Sequence, residues 1–135
     1  MSREIEEGLS EKLDFAKLAK VAACGRAVLP VVVQHADTGA VLTLAYADRE
    51  ALSRTLADKV AVFWSTSRNE LWVKGATSGD TLDLVEVRVN CEQNSLLYIV
   101  RPRKSGVCHT KNPDGAARAT CYYRRLSGGE SLEFV

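Results

Sequence analysis

Short apolar runs and period-two alternation, broken by turn residues, dominate the chain and predict strands. Pro30-Val31-Val32-Val33-Gln34 reads as a strand, Ala36-Asp37-Thr38-Gly39 as a turn, and Val41 to Tyr46 as the returning strand of a hairpin. Val60 to Trp64 forms a third strand. Leu71 to Lys74 forms a fourth, closed by Gly75 and the Thr77-Ser78-Gly79 turn. From Leu82 to Asn90 the alternation puts Val85, Val87 and Val89 on one face and Glu86, Arg88 and Asn90 on the other; Leu96 to Val100 is a continuous apolar strand. Helical spacing is limited to two segments. Residues 10–20 carry Leu13, Phe15, Ala16, Leu18 and Ala19 behind Ser10 as N-cap. Asp48 caps a helix running to Ala57, with Ala51, Leu52 and Leu56 as its buried face. The tail after Leu126 reads as a loop, with residues 1–9 and 127–135 loosely held. The expectation is one α+β domain over residues 1–135, with mostly antiparallel strands and one or two helices.

Composition narrows the function classes. The 135 residues are 46% hydrophobic and 26% charged, the balance of an ordinary globular domain. A net charge of +1 argues against a general nucleic-acid coat or a membrane-surface protein. No apolar run is long enough to span a bilayer, and the segment from Met1 to Leu18 lacks the apolar core of a secretory signal. A cytoplasmic protein that binds neither nucleic acid nor membrane is expected. There the four cysteines, Cys24, Cys91, Cys108 and Cys121, stay reduced. Their spacing leaves metal ligation and plain buried thiols both open.

Three stretches carry candidate chemistry. Ser65 to Gly79 packs hydroxyls, two cations and two glycines into fifteen residues, which is what a phosphate needs; a polar hairpin explains the same composition. Asn90-Cys91-Glu92-Gln93-Asn94, if extended, turns Asn90, Glu92 and Asn94 to one side as oxygen donors for a hard cation such as Mg²⁺; the same residue types also suit a turn. Cys108-His109-Thr110, with Cys121 downstream, pairs a ligand with a proton-transfer group, against the alternative of a structural histidine. Between Arg101 and Arg125 seven Lys and Arg face one acid, Asp114, a local charge of +6 that suits a phosphorylated small molecule better than a long nucleic acid.

In this order the stretches resemble the phosphoribosyl-AMP cyclohydrolase family of histidine biosynthesis. The resemblance runs from Leu13 to Tyr123. Its parts are Leu13-Asp14-Phe15, Val33-Gln34 before Thr38-Gly39, Leu44-Ala45-Tyr46, Glu50-Ala51-Leu52, the Ser65–Gly79 stretch, Cys91, Cys108-His109-Thr110 and Cys121. It implies an intertwined homodimer with a zinc ion at the interface, held by Cys91, Cys108 and Cys121 drawn from both subunits. Cys24 matches no family ligand. The implied chemistry is hydrolysis of a cyclic amidine: water adds to C6 of an N1-substituted adenine and the C6–N1 bond breaks. His109 is the implied general base and acid. Arg68 and Lys74 would hold phosphate or developing charge; Ser65, Ser67, Thr77 and Ser78 would add hydrogen bonds. Trp72 would stack on the base or serve the core.

Four departures touch these segments. The family's Asp-Cys-Asp-x-Asp magnesium motif is Asn90-Cys91-Glu92-Gln93-Asn94 here, one carboxylate in place of three, so tight magnesium binding is not expected. Ala76 stands where the family usually has Glu, and His35 where Asp is common. Twelve residues lie between Cys108 and Cys121, more than in the family, with Asn112-Pro113-Asp114-Gly115 inserted. A relative acting on another purine-like or amidine ring, and a non-catalytic zinc or nucleotide-binding module, are the competing readings.

Overall fold

Val31 and Val33 expose no surface, and the strand that carries them, β1 (Leu29–His35), is an interior strand of the main sheet. The computed structural model describes residues 3–104 and 106–135. The helices are α1 (Arg3–Glu7), α2 (Lys17–Ala22) and α3 (Arg49–Asp58). The remaining strands are β2 (Val41–Ala47), β3 (Val62–Ser65), β4 (Glu70–Val73), β5 (Leu82–Val89), β6 (Leu96–Pro102), β7 (Arg124–Gly128) and β8 (Ser131–Phe134). The main sheet runs β2-β1-β6-β5. Its outer pairs are antiparallel, and its central pair, β1 with β6, is parallel with Val31 opposite Leu96. Hairpins β3–β4 and β7–β8 complete the α+β architecture.

The core lies where apolar strand faces meet α3. Leu42, Ala47, Ala51, Val62, Phe63, Leu82, Tyr98 and Val100 are buried together, and full burial of such a side chain is worth about 1.5–3 kcal/mol. Asp48 caps α3 as expected, its Oδ1 accepting from the Ala51 N–H at 2.8 Å. The buried face of α3 differs from the expected one: Thr55 is fully buried, while Leu56 is 47% exposed and Leu52 packs at the core's margin. Thr55 wins that position through its hydroxyl, which donates to the Ala51 carbonyl at 2.8 Å and accepts from the Val62 N–H at 2.9 Å. The Tyr98 hydroxyl lies 3.3 Å away. One hydroxyl thereby ties α3 to β3 and β6.

Other expectations are corrected. The helix expected over residues 10–20 is reduced to α2, with no side-chain cap, and Ser10 instead bridges Ser131. Pairing there supplies the backbone hydrogen bonds that a helix start would have left open. The valines of β5 do not share one buried face. The register with β6 shifts between Leu84 and Glu86, so Leu84 and Val87 pack on the core while Val85 and Val89 stay exposed. The tail after Leu126 is not a loop: Leu126 pairs with Leu132 in the β7–β8 hairpin. Residues 3–9 are fastened too, with the Leu132 N–H donating to the Leu9 carbonyl at 2.8 Å; Met1 and Ser2 lie outside the described residues.

Candidate functional site

Cys108 and Cys121 come together from opposite ends of an irregular segment between β6 and β7. Cys108 sits in a turn stapled by Arg118, whose carbonyl accepts from the Val107 and Cys108 N–H groups, both at 3.0 Å, while its own N–H donates to the Thr110 carbonyl at 3.1 Å. Lys111 bridges Ala117, so residues 112–116, including the inserted Asn112 to Gly115, project as a small loop that leaves the cysteines' approach undisturbed. Cys121 is fixed from the other side, its N–H donating to the Leu42 carbonyl of β2 at 2.8 Å. Thr120 reinforces this, its hydroxyl donating to the Val41 carbonyl at 2.9 Å.

Cys108 acts on the Cys121 thiol, which marks the two as neighbours. Cys121 is exposed as a residue, yet desolvation pushes its thiol above the ordinary cysteine value. A Thr43 hydrogen bond opposes that rise, proximity to Cys108 adds to it, and the Lys74 ammonium also pulls downward. Cys108 is buried, with its Sγ 3.0 Å from the Thr110 hydroxyl. Two soft sulfur donors beside a hydroxyl and an ammonium suit a thiolate-preferring ion such as zinc, and amount to half of a tetrahedral shell.

Cys91 does not join them. It is exposed in the turn after β5, and among the described residues no group of three His, Cys, Asp or Glu that could hold a metal forms. The turn also replaces the extended arrangement considered for Asn90, Glu92 and Asn94. The Asn90 Oδ1 accepts from the Asn94 and Ser95 N–H groups, each at 2.9 Å, and Asn90 Nδ2 donates to Asn94 Oδ1 at 2.7 Å. Gln93 adopts a left-handed φ of 55°, which an extended strand forbids. Both amide side chains thus hold the turn together.

The Ser65–Gly79 stretch is a hairpin and a second turn. Ser65 pairs with Glu70, and Asn69, at φ 56°, makes the β3–β4 turn with its Oδ1 accepting from Trp64 Nε1 at 3.2 Å. The tip gathers Ser65, Ser67 and Arg68. The Ser65 and Ser67 hydroxyls are 3.4 Å apart, and Arg68 Nε donates to Ser65 Oγ at 3.3 Å. Trp72 packs against Phe63 with ring centroids 5.5 Å apart, at the core's margin. Lys74 follows β4, and its charge is felt at the Cys121 thiol, so hairpin and thiol pair border one region. Thr77 and Ser78 lie in the next turn, where the Lys104 ammonium donates to the Ser78 carbonyl at 3.1 Å.

His109 is solvent-exposed, and its Nε2 meets Glu6 Oε2 at 2.5 Å. His35 has a local role: its Nδ1 accepts from the Asp37 N–H at 3.1 Å in the β1–β2 turn. Sequence reasoning missed Thr43, Glu6 and Arg118 at this site. A threonine among the apolar residues of β2 was a signal for the first. The other two gave none, because their contacts span more than a hundred residues.

A phosphoribosyl-AMP cyclohydrolase family model matches residues 43–123, from Thr43 beside the thiol pair to just past Cys121. A phosphoribosyl-AMP cyclohydrolase of Caulobacter vibrioides is 47% identical over 103 residues, 76% of this chain and 70% of that protein. The enzyme of that name from Archaeoglobus fulgidus is 44% identical over 105 residues, 78% of this chain and 91% of its own length. A histidine biosynthesis bifunctional protein of Thermus thermophilus is 47% identical over 111 residues, covering 82% of this chain and 49% of that protein.

Proposed function

The chain belongs to the phosphoribosyl-AMP cyclohydrolase family, and from that premise we propose that it opens the purine six-membered ring of phosphoribosyl-AMP by hydrolysis at C6–N1, with zinc at an interface between two copies. The observation that carries the reading is the convergence of Cys108 and Cys121 beside Lys74, with Cys91 left exposed on the same chain. Two sulfurs from one copy and the Cys91 sulfur of a second complete a three-thiolate set with one open position. When bound, zinc supplies Lewis acidity that makes water a competent nucleophile near neutral pH.

The chain's own residues do the rest. His109 takes one proton from the attacking water and returns it to N1 as the C6–N1 bond breaks; the second water proton passes from the C6 oxygen to the exocyclic nitrogen, leaving a carboxamide. Lys74 offsets negative charge developing on the ring. Arg68, with the Ser65 and Ser67 hydroxyls around it, holds phosphate through charge-assisted hydrogen bonds, and Thr77 and Ser78 extend that polar rim. Trp72 acts by buttressing the hairpin through Phe63. No second metal is used, because the Asn90 and Asn94 oxygens already serve the turn.

The test is a spectrophotometric ring-opening assay on authentic phosphoribosyl-AMP. Turnover should vanish on zinc removal, return with zinc, and be indifferent to magnesium. Turnover of another amidine ring with none of this substrate would defeat the proposal.

A further inference from the structure

α1 lies against the Cys108–Thr110 turn and is held there by contacts that immobilise its backbone. The Tyr123 hydroxyl donates to the Glu6 carbonyl at 2.7 Å, and Arg124 donates to the Ile5 and Gly8 carbonyls at 2.7 and 2.8 Å. The neighbouring Glu7 carboxylate is gripped by Arg118. Glu6 therefore enters the site on a fixed backbone, with its side chain 23% exposed and directed at the His109 ring. The contact occupies the Nε2 edge of the ring. Nδ1 makes no hydrogen bond among the described residues.

We infer that Glu6 is a positioning residue for His109: by holding the Nε2 edge it fixes the ring plane and leaves the Nδ1 edge free. This rests on the reading of His109 as general base. A carboxylate behind a working imidazole orients the ring. The residue comes from outside the segment matched by the family model, so the arrangement is supplied by this chain's own N-terminal segment.

The experiment uses full-length protein. Glu6→Ala should lower kcat about tenfold or more, the usual cost of losing such an outer partner. KM should stay within about twofold, and zinc content should not change, since Glu6 touches neither substrate nor sulfur. Glu6→Gln, which still offers an accepting oxygen, should recover most of the rate and guards against a folding artefact. In a His109→Ala background Glu6→Ala should cost nothing further. The inference is overturned if Glu6→Ala keeps full kcat, or if its loss is undiminished in the His109→Ala background. His109→Ala with full activity would remove the general-base reading itself, and this inference with it. His109→Ala inactive beside a fully active Glu6→Ala would remove this inference alone.

Discussion

Arg118 clasps Glu7 in a fork, Nη1 donating to Oε2 at 2.6 Å and Nη2 to Oε1 at 2.9 Å, and so joins the beginning of the chain to the turn that carries Cys108. The guanidinium also stacks over Tyr123, 4.1 Å from the ring centroid, and its backbone accepts from Cys108. The hydrogen bond from Arg118 holds the Glu7 carboxyl below the usual carboxylate range, against a smaller opposing effect of burial. A lowered folded-state value means that the stabilisation is present above the unfolded carboxylate range and fades as pH falls through the folded value. Glu7→Gln should therefore be less stable than the parent at pH 7, with the gap narrowing as the pH falls through the folded carboxyl's lowered value. Urea midpoints across the acid range check this. Asp14 and Asp37, also lowered by cationic partners, contribute equally to both proteins and cancel. A gap that stays constant with pH would show that the fork is not its source.

Thr55 is the second structural anchor. Thr55→Val keeps shape and volume while removing the hydroxyl that accepts from the buried Val62 N–H. The substitution should cost about 1–3 kcal/mol, the range for stranding a buried polar group. Thermal or urea unfolding measures it. A loss below about 0.5 kcal/mol would mean that Val62 finds another acceptor.

Much of this architecture was legible in the chain. Wherever a strand is read by its own alternation or flanking turn residues, as in β1, β2 and β6, the elements match closely, because one strand's pattern carries its own information. Asp48 was legible for the same reason: an N-cap acts on residues three positions away. The misreadings share a different cause. Val85 was put on one face with Val87 and Val89 because a bulge is a property of two strands together. Leu56 lost its place to Thr55 because the partners that satisfy that hydroxyl lie on β3 and β6. At the site, the Cys-His-Thr and Ser-Arg motifs were visible as composition. The Glu6–His109 and Glu7–Arg118 contacts close loops too long for any local pattern to signal.

Gly75 tests the joint between hairpin and thiol pair. Its φ is +78°, and a Cβ there would lie 2.2 Å from the Asp80 carbonyl carbon, a backbone atom with little freedom to move. Gly75→Ala should cost more than the roughly 1 kcal/mol of a left-handed non-glycine residue alone, because the clash adds to it. Lys74 is adjacent, so turnover should fall further than the loss of folded protein accounts for. Active-site titration combined with unfolding curves separates the two effects. Parental turnover per folded molecule would show that Lys74 does not depend on this turn.

The proposed sharing of sulfurs between copies makes the last expectation quantitative. Cys91→Ser and Cys108→Ser should each abolish zinc retention and turnover when pure. Mixed by co-refolding, they should complement: one site of each heterodimer then carries Cys108 and Cys121 from the first variant and Cys91 from the second, and the other site carries both lesions. With random pairing, half the dimers are mixed and each has one intact site, so activity should return to about a quarter of the parental value. Cys108→Ser mixed with Cys121→Ser should recover nothing, since those two sulfurs must come from the same chain. Recovery in that second mixture, or none in the first, would overturn the shared arrangement while leaving the cyclohydrolase reading to be judged by its own assay.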